Sequence, residues 1–487
     1  MAYLHGAYGE IGESKVASVT QADVVAAYIG TAPVNLIRGY ADKDLVNMPV
    51  KVTNMSEVQS LVGYSDDWET FTLGSAFAEH FDNTVGNVGP IYIVNVLDPA
   101  VHKAAQKTTK ALTFTDGKAE FESDKIILDT FAIADKAEGV DYALSYSMAK
   151  HTVTVTLLKN TDGAELSATF DTVDTSKVQA ADIIGEKTET GEYTGLASMA
   201  LLYQYHNVVL NILAAPGWSH IPAVYKAMVS TIQKLNGHWD GFVHADVPLE
   251  DKGTKIDTLA KAQKWAIDNG YTSEFSKVYW PKIKDGSGRI FWLSTVGAAT
   301  MQRVDHDGVP FESPSNKEIM ATSQYFGEDS KSRGFDQETA NKLNEKGITT
   351  ACFWGGRWVL WGPHTAAYKY NGSMDARAIF DVNIRMLEHI TNSFQKDHGT
   401  EIDSPMTPQD KDSVLNFEKE KLDTLLGIGA LIGTPSVEFV ESANPTSNML
   451  NGDFVWDFSV TNTPPFKSGT ARVCYTDEGF QSFFATE

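Results

Sequence analysis

Val208-Val209-Leu210-Asn211-Ile212-Leu213-Ala214-Ala215, stopped by Pro216-Gly217, is the stretch whose reading decides the fold. All but Asn211 are apolar, the nearly continuous run a strand needs when both its faces are covered. A Pro-Gly pair then breaks the ladder. Just beyond, Val224, Met228, Ile232 and Leu235 recur at helical spacing and predict a helix over residues 221–235. The alternation continues with a strand over 241–246, a helix over 255–268, and strands over 277–280 and 290–293. Repeated β-α-β spacing predicts an α/β multidomain chain with a mostly parallel core sheet and right-handed crossovers.

Working back toward the N-terminus, residues 23–33 read as a strand closed by Gly30 and Pro33. Ser56 is a candidate N-cap for a helix carrying Val58, Leu61 and Val62, and Leu73, Phe77 and Phe81 mark a second helix. A strand over 91–96 follows Gly89-Pro90. Residues 1–22 have few large apolar side chains and are expected as an extended arm. From 100 to 195 the composition shifts to alternating apolar and polar residues. Leu112 and Phe114 are expected to pair with Ala119 and Phe121 across Asp116-Gly117. Val153 to Leu157 are expected to pair with Leu166 to Phe170 across a turn at 160–163. This predicts an inserted β domain.

Toward the C-terminus, Phe353-Trp354, Gly355-Gly356 and Trp358-Val359-Leu360-Trp361 read as an aromatic hairpin ended by Pro363, and as a packing hub. Phe380, Ile384, Leu387, Ile390, Thr391 and Phe394 then share one helical face. A second helix is expected over 412–426, a glycine-rich loop at Gly427, Gly429 and Gly433, and strands over 453–460 and 470–475 around Pro464-Pro465. The expected divisions are an arm (1–22), two core parts (23–99 and 196–350) around the insert (100–195), an α+β C-terminal domain (351–452) and a terminal strand or arm (453–487).

Composition excludes several classes. Lys and Arg number 40 against 63 Asp and Glu, a balance of −23 that disfavours nucleic-acid phosphates and keeps free copies apart. No apolar run reaches the roughly 18 residues of a membrane span. Residues 1–6 lack the regions of a signal peptide. Cys352 and Cys474 match no metal spacing or disulfide framework and fit a reducing cytoplasm.

Candidate chemistry is thin. Gly195-Leu196-Ala197-Ser198-Met199-Ala200 brushes against the nucleophile motif of subtilisin-like proteases, but upstream His5, His80, His102 and His151 stand in no matching context. Ser198 reads more simply as part of an amphipathic helix. His244 and Asp246 share a strand face, yet His238 does not complete a metal set. Asp305-His306-Asp307-Gly308 reads as a turn. Gly286-Ser287-Gly288 lacks the spacing of a phosphate loop. The aromatics from Trp354 to Trp361 suit core and subunit contacts, with a sugar platform the lesser reading. No catalytic, cofactor-binding or metal-ligating residue is expected.

The run Trp361-Gly362-Pro363-His364-Thr365, followed by a long helix, a second amphipathic helix and a terminal strand, resembles the contractile tail sheath proteins of bacteriophages. R-type bacteriocins and contractile injection systems share that family. Similar segments occur at 23–33, at Asn211 to Gly217 with Asp246-Val247-Pro248, and at Leu343 to Ile348. In the strand after Gly89 this chain has Asn95 where the family usually has Arg. The resemblance spans nearly all of the chain outside 100–195. It implies a subtilisin-like core, an outward-facing insert, and no cofactor. It also implies helical polymerisation in hexameric rings around a tail tube protein, with baseplate and tail terminator partners, in a virion tail assembled in the host cytoplasm. The competing class is a subtilisin-fold or carbohydrate-active hydrolase. A serine-directed fluorophosphonate should therefore leave Ser198 unlabelled, and Ser198→Ala should assemble like the parent; stoichiometric labelling of Ser198 in native protein would favour the hydrolase.

Overall fold

An eight-stranded sheet organises the chain. Its strands are β1 (Val19–Gly30), β2 (Pro49–Val52), β3 (Asn87–Asn95), β4 (Ile212–Ala214), β5 (Phe242–Asp246), β6 (Ser276–Tyr279), β7 (Ile348–Trp354) and β8 (Arg357–Trp361). The computed structural model describes residues 19–159, 165–327 and 335–484. The expected arm lies outside the described residues up to residue 18, while its last residues, 19–22, belong to β1 instead, with Val19 to Gln21 paired to β3. The expected turn at 160–163 also lies outside the described residues. Strand order is β8-β7-β6-β5-β4-β1-β3-β2. Neighbours from β7 to β3 run parallel, while β8 and β2 are antiparallel edges, so the sheet is mixed.

Alternation along β1 divides the core. Val25, Ala27 and Ile29 join one apolar cluster, and Val24, Ala26 and Tyr28 the other. The first cluster is covered by helices that supply Val224, Met228 and Ile232, and Ala262, Trp265 and Ala266. The second is covered by α1 (Gly74–Phe81) through Phe77 and Phe81 and by α4 (Leu293–Val304) through Ala298 and Met301; the helices on the first cluster are α2 (Pro222–Ile232) and α3 (Leu259–Asp268). β4 is shorter than the apolar run around it. The Asn211 side chain accepts from Val25 N at 3.0 Å, so the regular ladder begins only after it.

Helix α4 was not legible. The expected strand over 290–293 stops at Phe291, in a small sheet with Lys282–Lys284 and Ser323–Tyr325. α4 is buried from Leu293 to Gln302. A helix covered on all sides has no polar stripe, and its Ser, Thr, Val and Gly residues are weak helix formers. The first short helix is capped by Asn54, whose side chain accepts from Glu57 N at 3.0 Å, rather than by Ser56.

The inserted strands pair differently from the sequence reading. Thr108–Thr113 pairs with Glu165–Phe170, and Lys118–Glu122 pairs with Thr152–Leu157. The Asp116-Gly117 turn is present, but the strands it joins belong to two three-stranded sheets. An isolated hairpin has too little apolar face for stability. Crossing between sheets lets Leu112, Phe131, Val153, Val155 and Phe170 share one core. That core also takes Leu36 from the body. Asn35 Nδ2 donates to Asp124 O and Ile126 O, both at 2.8 Å. Asp124 accepts from Tyr146 and Ser65, and His151 bridges Asp124 and Asp66 at 3.2 Å each. Val173, Val178 and Ile183 pack in the main core.

After β8 come α5 (Asp381–His398) and α6 (Pro408–Gly427), then a ribbon of Ser436–Glu438 paired with Asp457–Ser459. Met386, Ile390, Leu422, Leu425 and Val437 join these elements. The expected strand over 470–475 is absent. That segment has no ladder partner among the described residues and lies exposed.

Gly297 allows α4 to lie directly on β6. A Cβ there would stand 2.3 Å from the Tyr279 hydroxyl oxygen and 2.4–2.6 Å from ring carbons. Gly297→Ala should cost about 1–3 kcal/mol through overpacking. Gly427→Ala, with no atom within 4 Å of the added carbon, should be neutral or slightly stabilising; urea unfolding of both variants checks the contrast.

Candidate assembly surfaces and the joint behind them

The residues with catalytic or ligating chemistry are absorbed by the fold. Ser198 is buried in a 3-10 turn over Gly195–Ala200 rather than an amphipathic helix, and its Oγ has no hydrogen-bond partner among the described residues. Upstream, His80 is held by the Tyr28 hydroxyl at 2.6 Å and Val88 O at 2.9 Å, and burial pushes its pKa down to about 3. His102 accepts from Asp98 N, and His151 sits between two carboxylates of the insert joint. His5 lies outside the described residues.

His244 and Asp246 share a face of β5 but have separate roles. His244 is bonded to the Tyr279 hydroxyl at 2.8 Å, and burial drives its pKa well below the ordinary value. Asp246 accepts from Ser294 N at 2.9 Å, from Ser294 Oγ, and from Ser219 Oγ at 3.2 Å. Burial still pushes its pKa up to about 6. His238 is exposed and bonded to Gln395. Among the described residues no three His, Cys, Asp or Glu side chains form a candidate metal set. Gly286 to Gly288 form a turn in which Asp285 accepts from Ser287 N and Arg289 N at 2.9 and 2.8 Å.

The turn at Asp305 hides a charge the sequence reading missed. Asp305 is buried and pairs with Arg385 of α5. One turn back, Asp381 Oδ2 accepts from Lys277 Nζ at 2.6 Å, with both side chains fully buried. Lys277 also donates to Gly362 O at 2.8 Å and His364 O at 3.1 Å, using all three ammonium hydrogens. Burial lowers the Lys277 pKa, with Asp381 opposing. Burial likewise pushes Asp305 up to about 7 and Glu388 well above the carboxylate range. This chain of charges joins β6, the end of α4 and the first turns of α5, and so fixes the C-terminal helices to the core. A lysine inside an apolar central strand was the available signal, because such a charge needs a buried partner.

The aromatic hub lies nearer the surface than expected. Phe353 and Trp354 are exposed, and Trp358 and Trp361 are half-buried. Trp361 Nε1 donates to Asn341 Oδ1 at 2.8 Å. Trp354, Trp361, Tyr368 and Tyr370 line a groove of about 690 Å³ that the chain's own Pro465–Gly469 segment borders. The β8 edge is already covered, since Ile319 N donates to Trp358 O and Leu360 N to Lys317 O. Each strand of the C-terminal ribbon has one ladder partner among the described residues. Beyond it the chain runs outward, with Phe466, Val473, Tyr475 and Phe484 between 83% and 92% exposed.

A body locked by buried charge, with an uncovered apolar tail, is the form of an assembly subunit. No family model matches the chain. It is 27% identical over 500 residues to the tail sheath protein of Burkholderia phage BcepMu, covering 98% of this chain and 97% of the relative. In fold it is similar to a chain of the anti-feeding prophage baseplate, with TM-score 0.57, 14% identity, and coverage of 98% and 100%. It is also similar to a chain of the PVC sheath complex, an extracellular contractile injection system in its contracted state, with TM-score 0.54, 12% identity, and coverage of 98% and 99%. Over nearly its whole length the chain is thus similar to a phage tail sheath protein and, in fold, to a chain of a contractile injection system's sheath complex.

Lys277→Met or Asp381→Leu alone should each cost about 3–5 kcal/mol, because each strands a buried charge. The double variant should lose clearly less than the sum, and urea unfolding of the three variants measures that coupling.

Proposed function

We propose that this subunit polymerises in helical rings around a tail tube, exchanging its terminal segments with neighbouring copies. The exposed apolar tail beyond Pro465 carries this reading, because Phe466, Val473, Tyr475 and Phe484 stay at least 83% exposed among the described residues. Unpaired backbone in such a tail can add a strand to the open ribbon of another copy. The N-terminal arm would act in the same way.

Contraction is then a rigid-body rearrangement of bodies that stay joined by their arms, releasing a metastable extended lattice without a nucleotide. The buried joint supports rigid-body motion, since α5 and α6 are tied to the core by paired charge. Hexameric rings, a tube protein inside, a baseplate below and a tail terminator above are the partners in this proposal. Its setting is the tail of a virion or phage-tail-like particle assembled in the bacterial cytoplasm. The doubly wound sheet, whose order reverses between β1 and β4, supports a subtilisin-type ancestry for the core without its catalytic use. An N-terminal arm ending before Val19, an insert over 100–195 and a terminal segment over 453–487 are part of the same proposal.

Truncation after Pro465 tests it. Thr461 O and Thr463 N, which bond Ile432 N and Ala430 O, are kept, so the ribbon end stays intact. The shortened chain should be a folded monomer by circular dichroism and sedimentation while the parent forms tubes; tubes from the truncated chain would refute arm exchange.

A further inference from the structure

The tail and one cleft on the C-terminal helices have opposite character. Residues 466–476 contain Lys467 and Arg472 and no acid, in a chain of net charge −23. Phe466, Val473 and Tyr475, on the same segment, are 90%, 92% and 83% exposed. Between the end of α5 and the start of α6 lies a cleft of about 420 Å³. Met406, Val414 and Phe417 supply its apolar lining, and Asp397, Glu401 and Asp410 its acidic rim. Phe417 is 45% exposed, a large apolar surface on a helix whose Val414, Leu422 and Leu425 are buried. Glu418 lies buried behind the rim, where His398 and Lys421 are its partners. Four carboxylates thus face one lysine and one histidine, which leaves the cleft negative whichever form the histidine takes.

We infer that this cleft is the seat for residues 466–475 of a second copy, with Arg472 on the Glu401 side of the rim and the neighbouring apolar side chains against Phe417 and Val414. The inference rests on the arm-exchange reading above and names the acceptor for it. Charge selects the occupant: an acidic segment would be repelled, and the tail has both the required sign and the apolar side chains. Backbone pairing with the ribbon and side-chain docking in the cleft are compatible, because the ribbon packs on α6 beside it.

Charge exchange and the lone exposed cysteine test the inference together. Glu401→Lys and Arg472→Glu should each raise the concentration needed for polymerisation about tenfold, and the double variant should return most of that loss. Cys474 is exposed and Cys352 buried. In Ser413→Cys polymers, mild oxidation should form an intermolecular disulfide from Cys474 to the introduced thiol, giving a ladder on non-reducing gels that Cys474→Ser abolishes. Normal polymerisation of Glu401→Lys, whatever its effect on another tail protein, would overturn the inference. So would a double variant no better than the singles with no ladder. A parent chain that forms no polymer, or one that polymerises without its tail, would instead defeat the assembly reading itself.

Discussion

The ion pair between Lys277 and Asp381 sets the terms for the rest of the molecule. A lysine in the middle of a central strand has no access to water, and its charge is tolerable only because a carboxylate and two carbonyls meet it. Asp381 opens α5, where the helix N-terminus also favours negative charge. Arg385, one turn on, repeats the arrangement toward Asp305. The core and C-terminal helices therefore cannot separate without breaking these paired charges. A hydrophobic contact of similar area would bind them but would tolerate sliding; directed charge pairs fix register.

The fold was legible where sequence pattern and burial coincide. The stripe of Val224, Met228 and Ile232 and the two-residue turn at Gly355-Gly356 appear where the sequence places them, and the run ending at Ala215 becomes a strand in its last part, Ile212–Ala214. Legibility failed where burial erases pattern, as in α4. It failed again where pairing is non-local: nothing between Leu112 and Phe121 says that the two strands belong to different sheets. Aromatic richness misled in the opposite direction, since Phe353 and Trp354 are exposed at a sheet rim.

The assembly surfaces were less legible than the fold, for a physical reason. A catalytic site declares itself through a few residue types at fixed spacing. An assembly surface is defined by what its own chain leaves uncovered, and that is known only after folding. Phe466, Val473 and Tyr475 would look ordinary in any strand; their exposure gives them meaning. The same holds for Asp381, Arg385 and Glu388, which match no active-site motif in the sequence and are buried in the fold.

The way the insert is fastened has a practical consequence. Asn35 and Leu36 of the body, with Ser65 and Asp66, hold the inserted strands through backbone, side-chain and apolar contacts at once. An attachment with so many independent points has little freedom to swivel. Anything carried on the far side of those strands, whether a fluorescent dye or a displayed peptide, would turn with the body as a pointer on a dial. Its orientation would then report how the body of each subunit is turned within an assembly.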